Sequence, residues 1–384
     1  MWLIRASLRP MREVTVFVGG SVGSDPYAPN TWSGSSSCLL RSMKDENLLE
    51  KAVGIHLPKL TNYVRLAKNF HLDRNLWRRH YYFDPKYRRA LTRAAAAVPV
   101  SSPVLMQIGH MFSLPEAFPG KKCISYHDGN LAGLVASGFG LDGVSRMRIE
   151  QALMYEHEAA RRVTAVFTFS EYLRKSFIHA YGVPAERVFN VGGGINLSDA
   201  PEADPAKTYT APRILFIGTE FVRKGGPQLL AAFKAVREKI PAAELHIVGP
   251  THVDNLAAGV TLHGHLSKAD PAQNQKLKSL FRDASLFALP SLYEPFGIAP
   301  LEAMLYQVPA VITNAWAFAE FVTPGVDGEL VEKGSVDDLA QKLTALLSDP
   351  DRLAVMGTKA RERVLERYAW SAVAERMAEI IRAL

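Results

Sequence analysis

Residues 285–304 read Ser285-Leu-Phe-Ala-Leu-Pro-Ser-Leu-Tyr-Glu-Pro-Phe-Gly-Ile-Ala-Pro-Leu-Glu-Ala-Met304. The apolar run from Ser285 to Pro290 has the length and composition of a buried strand. Pro300 lacks an amide proton and is tolerated in a helix only in its first turn, so a helix begins near Ala299. Glu302 then falls at the third helical position, beside unpaired backbone amides that attract anions. Glu294 lies just outside, on the loop. The unit is therefore strand, glycine-containing loop, helix, and open α/β sheets collect ligands at such strand-end crevices. Spacing alone is weak evidence, because a first-turn glutamate also serves simply to complement the helix dipole.

Outward from this stretch the same alternation runs along the chain. Short β-branched runs at Val14–Val18, Val104–Ile108, Cys123–Tyr126, Ala165–Phe169 and Val188–Val191 precede a polar, proline-rich segment at 198–212, which reads as a linker. Arg213–Ile217, Glu244–Val248, Leu286–Leu289, Ala310–Thr313 and Glu329–Val331 follow. Strands alternating with helical patterns predict two doubly wound, Rossmann-like parallel sheets covered on both faces. The 384 residues suffice for two domains, and 48% apolar content suffices for two cores. The expected division is 11–200 and 213–370, with a last helix over 371–384 returning to the first domain. Cys38 and Cys123 are too few for a disulfide framework or a thiolate metal site and suit a reducing cytosol. Arg5 and Arg9 interrupt the first ten residues, which are too short and charged for a signal peptide, and Met11 is an alternative start. No apolar run reaches bilayer-spanning length. The expected location is cytoplasmic, with any membrane contact peripheral.

Taken over its whole length, the 288–304 segment resembles the donor-site signature of glycosyltransferase family 4, a group of retaining enzymes with the GT-B fold. The similarity extends from about residue 14 to the C-terminus and is strongest after residue 165. It implies two domains facing each other across a cleft, a nucleotide-sugar donor held mainly by the second, and a glycan or lipid-linked acceptor held by the first. In this pattern Glu302 binds the nucleotide ribose, Glu294 binds the transferred sugar, and the amides of Phe296, Gly297, Ile298 and Ala299 meet sugar and diphosphate. No cofactor or metal is implied.

Expulsion of a nucleoside diphosphate needs positive charge or amide donors where negative charge develops. Phe216-Ile-Gly-Thr-Glu-Phe-Val-Arg-Lys-Gly-Gly226 supplies a strand end, a tight loop, Arg223, Lys224 and two glycines, and it is similar to the family's Lys-Gly motif. Many relatives carry an arginine directly after Gly218, where this chain has Thr219. Either Arg223 takes its place, a chemically reasonable exchange for a residue that can clamp phosphate with two hydrogen bonds, or the diphosphate is held with one charge fewer. His127 ends an apolar strand in the first half and resembles the family's strand-end histidine, which borders the reacting sugar. His110 reads as structural. Gly19 and Gly20 open a long glycine- and serine-rich loop similar to the family's first glycine-rich loop, where a missing side chain admits ligand or merely permits a turn. No Gly-Lys-Ser/Thr closes it, so it is not a P-loop.

Asp349-Pro350-Asp351 reads as a helix cap followed by a first-turn proline, not as a metal-binding aspartate pair. The net charge of +7 is concentrated between Lys59 and Arg93, where ten Lys and Arg face only Asp73 and Asp84 among seven aromatics. That mixture suits a solvated helical face or the surface of an anionic membrane, with nucleic acid the least favoured partner. Two other readings compete with glycosyl transfer: a sugar-nucleotide epimerase or phosphorylase on the same fold, and a non-catalytic basic membrane- or nucleic-acid-binding module. Retention of Glu294, Glu302 and Lys224 weighs against the last.

Overall fold

The computed structural model describes residues 14–19, 25–28, 31–196 and 201–384. Gly20 and most of the loop after it lie outside the described residues, as do Met11 and the start of the proline-rich segment. Two compact units emerge, one running to Gly194 and including Trp370–Leu384, the other comprising Ile195–Ala369.

In the first unit, β1 (Val14–Gly19), β2 (Leu49–Ile55), β3 (Val104–Ile108), β4 (Lys122–His127), β5 (Ala165–Thr168) and β6 (Val188–Asn190) form a parallel sheet in the order β2-β1-β3-β4-β5-β6. The second unit pairs β7 (Arg213–Ile217), β8 (Glu244–Val248), β9 (Val260–Gly264), β10 (Leu286–Leu289), β11 (Ala310–Thr313) and β12 (Gly328–Val331) in the order β12-β11-β10-β7-β8-β9, also parallel. Every residue of β3 and β10 is buried, as expected for strands covered by helices on both faces. The strand order reverses between β1 and β3 in the first sheet and between β7 and β10 in the second. These reversals are the switch points at which such sheets place ligands.

Two strands were not anticipated, β2 and β9. Both are edge strands with a single partner, β1 and β8 respectively. An edge needs no continuous apolar run, and β2 carries Glu50 and Lys51 in its first half. The proline-rich segment also differs from a free linker, because Tyr209 is buried in the second unit with its hydroxyl donating to the Gln307 carbonyl.

The final helix, Trp370–Ala383, packs in the first unit against the helix Ser35–Asp45. Val373, Ala374, Met377 and Ile381 are fully buried along one face, the spacing of an amphipathic helix. Trp370 reaches Phe169 and sits over Gly194, where a Cβ would come within 2.4 Å of the indole. Arg376 Nε donates to the Val191 carbonyl at 2.7 Å. Ile381→Ala should therefore cost the first unit about 2–4 kcal/mol in urea unfolding. A change near zero would mean that the helix does not close this core.

Candidate active site

At the β7/β10 switch point two loops are stitched together by backbone. Leu292 N donates to the Arg223 carbonyl at 2.8 Å. Gly225 has φ +77°, and a Cβ there would lie 2.0 Å from the Pro290 carbonyl oxygen, so both the conformation and the approach demand glycine. Gly218 does a related job. A Cβ on it would lie 2.5 Å from Lys224 Cδ, so its bareness lets the lysine stem cross the end of β7.

The result is a cluster of charge. Lys224 Nζ donates to Glu294 Oε2 at 2.7 Å, and Arg223 Nη1 lies 3.4 Å from the same oxygen. Arg223 also donates through Nη1 to the Tyr293 carbonyl at 2.7 Å and through Nε to Glu220 Oε2 at 2.9 Å. Burial alone would lower the Arg223 pKa, but Glu294 and Glu220 outweigh it and hold the guanidinium above its ordinary value. Glu294 is itself buried and is aimed by Gly297, whose φ is +77° and whose Cβ would meet Glu294 Cγ and Phe318 at 2.8 Å each. Phe296 anchors the loop edge-on against Phe321, with ring centroids 4.9 Å apart.

The following helix spans Ala299–Leu305, with Ile298 as its cap and Pro300 in its first turn. Glu302 is buried on it and accepts a hydrogen bond from Lys268 Nζ, which arrives from the segment between β9 and the helix Pro271–Asp283. The structure thus brings Lys224, Arg223 and Glu294 together and gives Glu302 a separate cation. Lys268 carries no local sequence signal, because its contact depends on a chain separation of 34 residues. Asp349 accepts from Arg352 N at 3.0 Å as the cap of the helix Pro350–Arg367.

In the first unit His127 is the last residue of β4 and is 2% exposed. Its ring centroid lies 4.1 Å from that of His110 and 4.8 Å from that of Phe177. His110, read as merely structural, belongs to the same cluster, with Nδ1 3.9 Å from Glu156 Oε1. Glu156 accepts from Leu131 N at 3.1 Å, and the buried Arg88 donates to the His110 carbonyl at 3.1 Å. Burial, helped by Arg88, pushes His110 down to about 3. Burial and then His110 lower His127 well below its ordinary value, with Glu156 opposing. Burial raises Glu156. Both imidazoles are therefore neutral near pH 7. The basic stretch folds into three helices, Lys59–Lys68, Arg74–Tyr82 and Pro85–Ala96. One of its cations, Arg88, belongs to the core rather than the surface.

The family described as Glycosyl transferases group 1 matches residues 201–363, the unit that carries this charge cluster. That unit carries the group 1 glycosyl transferase pattern. Among relatives of the chain, alpha-maltose-1-phosphate synthase of Mycolicibacterium smegmatis is 26% identical over 254 residues, 59% of this chain and 65% of that protein. The GDP-mannose-dependent alpha-(1-6)-phosphatidylinositol monomannoside mannosyltransferase of Mycobacterium tuberculosis is 29% identical over 240 residues, 57% of this chain and 62% of that protein. The chain thus spans under two thirds of these relatives' length. The fold is GT-B, like that of sucrose-phosphate synthase from Thermosynechococcus elongatus, which superposes with a TM-score of 0.70 at 20% identity over 97% of this chain and 99% of that one.

The buried imidazoles give a pH dependence of definite sign. With His110 titrating near 3 when folded and near 6.5 when unfolded, the unfolded chain binds more protons between those values, so stability falls as pH falls. Each such histidine contributes a slope of about 1.4 kcal/mol per pH unit. His127 acts in the same direction, and Glu156 acts oppositely below its raised pKa. His110→Gln should flatten the urea-derived stability slope below pH 6.5 by roughly one histidine's share. An unchanged slope would contradict a buried, neutral His110.

Proposed function

We propose that this chain is a retaining glycosyltransferase that binds a nucleotide-sugar donor on the Ile195–Ala369 unit and a glycan or lipid-linked acceptor on the first unit. The observation that carries the reading is the convergence of Lys224 and Arg223 on Glu294 at the β7/β10 switch point of a group 1 glycosyl transferase unit. The GDP-mannose dependence in the name of the mycobacterial relative supports a nucleotide-sugar donor.

In this reading the donor diphosphate displaces the Glu294 carboxylate from Lys224 and Arg223. The two cations then meet the charge that grows as the sugar–phosphate bond breaks, and Arg223 performs the task of the arginine absent at Thr219. Glu294, released, accepts hydrogen bonds from hydroxyls of the transferred sugar. Glu302 accepts from the ribose hydroxyls, with Lys268 holding its carboxylate in place. The amides of Phe296, Gly297, Ile298 and Ala299 and the bare backbone of Gly218 line the phosphates and sugar. The acceptor oxygen attacks the anomeric carbon from the face the nucleotide leaves, forming one C–O bond as the other breaks. The departing phosphate oxygen takes the acceptor's proton, and configuration is retained. No protein nucleophile or metal is required. His127, neutral, borders the reacting sugar.

The exposed Leu60, Tyr63, Val64, Phe70 and Leu72, set among Lys59, Lys68 and Arg74, support peripheral contact of the first unit with an anionic bilayer. Among the described residues no helix is long and apolar enough to cross a membrane.

The test is a thermal-shift screen with UDP, GDP and ADP, their monophosphates and their sugars. One diphosphate series should raise the melting temperature, and Glu302→Ala should abolish the shift. Lys224→Ala should weaken the diphosphate by about 2 kcal/mol, roughly 30-fold, while hardly affecting the monophosphate. If no nucleotide shifts the transition, the reading fails. Liposomes containing anionic lipid should carry the protein upward in flotation at low salt and release it at high salt; absence of binding at both would remove the membrane contact.

A further inference from the structure

The loop after β11 leans on the Glu294 loop along most of its length. Thr313, the last residue of β11, donates its hydroxyl to the Ser291 carbonyl at 2.8 Å. The Trp316 ring meets the Tyr293 ring edge-on, with centroids 5.6 Å apart. Phe318 comes within 2.8 Å of the place a Cβ on Gly297 would take, and Glu294 Cγ approaches the same place to 2.8 Å. Phe321 carries Phe296. Residues 313–321 therefore brace Glu294 from both directions of the chain, through Tyr293 before it and Gly297 after it.

Trp316 is the member of this brace that packing does not account for. Its φ is +54°, a left-handed conformation that a bulky side chain adopts only where surrounding contacts enforce it. Among the described non-glycine residues with positive φ, only Trp32 and Trp316 carry large aromatic side chains. Full burial would offset the strain, yet the Trp316 indole is only half-buried while Ala317 and Phe318 beside it are completely enclosed. Its N–H is open as well. Trp32 donates to Asp128 Oδ2 at 2.9 Å and Trp77 to the Leu66 carbonyl at 2.8 Å, whereas Trp316 makes no hydrogen bond among the described residues. The exposed Lys333, just past β12, sets its ammonium 5.3 Å from the indole centroid. The indole is thus steadied by Tyr293 and Lys333 without being sealed into a core.

The position is as informative as the chemistry. β11 lies beside β10 on the side away from β7, so the strand ends present the Lys224 loop, the Glu294 loop and the Trp316 loop in that order. A ligand whose diphosphate lies on Lys224 and whose sugar reaches Glu294 extends toward Trp316. A carboxylate only accepts hydrogen bonds, so a sugar hydroxyl that is to be recognised as an acceptor needs a donor from elsewhere. An indole supplies that donor together with an apolar surface suited to the C–H face of a sugar ring.

Resting on the nucleotide-sugar reading of this unit, we propose that Trp316 governs the choice of transferred sugar. Its N–H donates to a sugar hydroxyl and its ring walls the C–H face of a hexopyranose, complementing the Glu294 carboxylate.

The experiment is a calorimetric titration of the full chain that compares UDP, GDP and ADP each with its hexose conjugates, UDP-glucose, GDP-mannose and ADP-glucose among them. Trp316→Phe keeps a ring and removes the N–H. Trp316→Gly removes the ring and suits the left-handed backbone, so it reads the site even if the phenylalanine variant folds poorly. In the series that binds, the affinity gained by the conjugate over its diphosphate should fall about fivefold in Trp316→Phe and roughly tenfold or more in Trp316→Gly. The affinity for the free diphosphate should stay within about twofold of wild type. An unchanged gain in both variants overturns the assignment, as does a wild-type chain that binds every hexose conjugate no better than its diphosphate. Equal weakening of diphosphate and conjugate overturns it too, because Trp316 would then act only by propping Tyr293, whose carbonyl holds Arg223. Absence of binding by every diphosphate removes the donor reading and this assignment together; diphosphate binding with an unchanged sugar gain removes this assignment alone.

Discussion

The close approach of Gly225 to the Pro290 carbonyl is the constraint on which the second unit's site depends. It fastens the loop after β7 to the loop after β10, the two strands that flank the reversal of strand order. With that contact made, the Arg223 carbonyl receives Leu292 N, and Lys224 and Arg223 can reach a carboxylate about 70 residues away in sequence. Any side chain at 225 would part the loops, and with them the charges. The glycines at 218 and 297 refine the same arrangement, one clearing the path of the Lys224 stem and the other setting the aim of Glu294.

The cluster is also electrically self-satisfied. A buried carboxylate without a partner would be costly, and so would two part-buried cations. Pairing them removes both penalties while leaving the cations exchangeable: a diphosphate offers more negative charge than one carboxylate and can substitute for it. In the proposed reaction Glu294 is displaced by the diphosphate and becomes a ligand of the transferred sugar. Glu302 stands apart with its own lysine, so the ribose end and the phosphate end of the proposed donor are held by independent ion pairs.

Much of this was legible in the sequence because it is local. Pro300 fixed the helix start, and continuous apolar runs marked the central strands, since strands covered on both faces leave little choice of residue. The edge strands β2 and β9 escaped notice because one free edge relaxes that demand. Lys268 on Glu302, and His110 and Glu156 beside His127, were invisible for a different reason: their contacts are made by topology, between segments that no local period links. Tyr209 shows the same limit, an aromatic in a proline-rich stretch whose burial depends on a partner near residue 307. Composition likewise marked the 59–93 stretch as basic but could not separate Arg88, committed to the core, from the exposed Arg74 and Arg78.

The exchange of Glu294 for a diphosphate is the central claim, and one comparison tests it most directly. Binding of the nucleoside diphosphate and of its sugar conjugate would be measured calorimetrically for the wild-type chain and for Glu294→Gln. If Glu294 is a displaced placeholder that then grips the sugar, the variant binds the free diphosphate at least as tightly as wild type, because Lys224 and Arg223 are released, and it loses the added affinity for the sugar conjugate. Weakening of the free diphosphate, with the preference for the sugar conjugate intact, would contradict it.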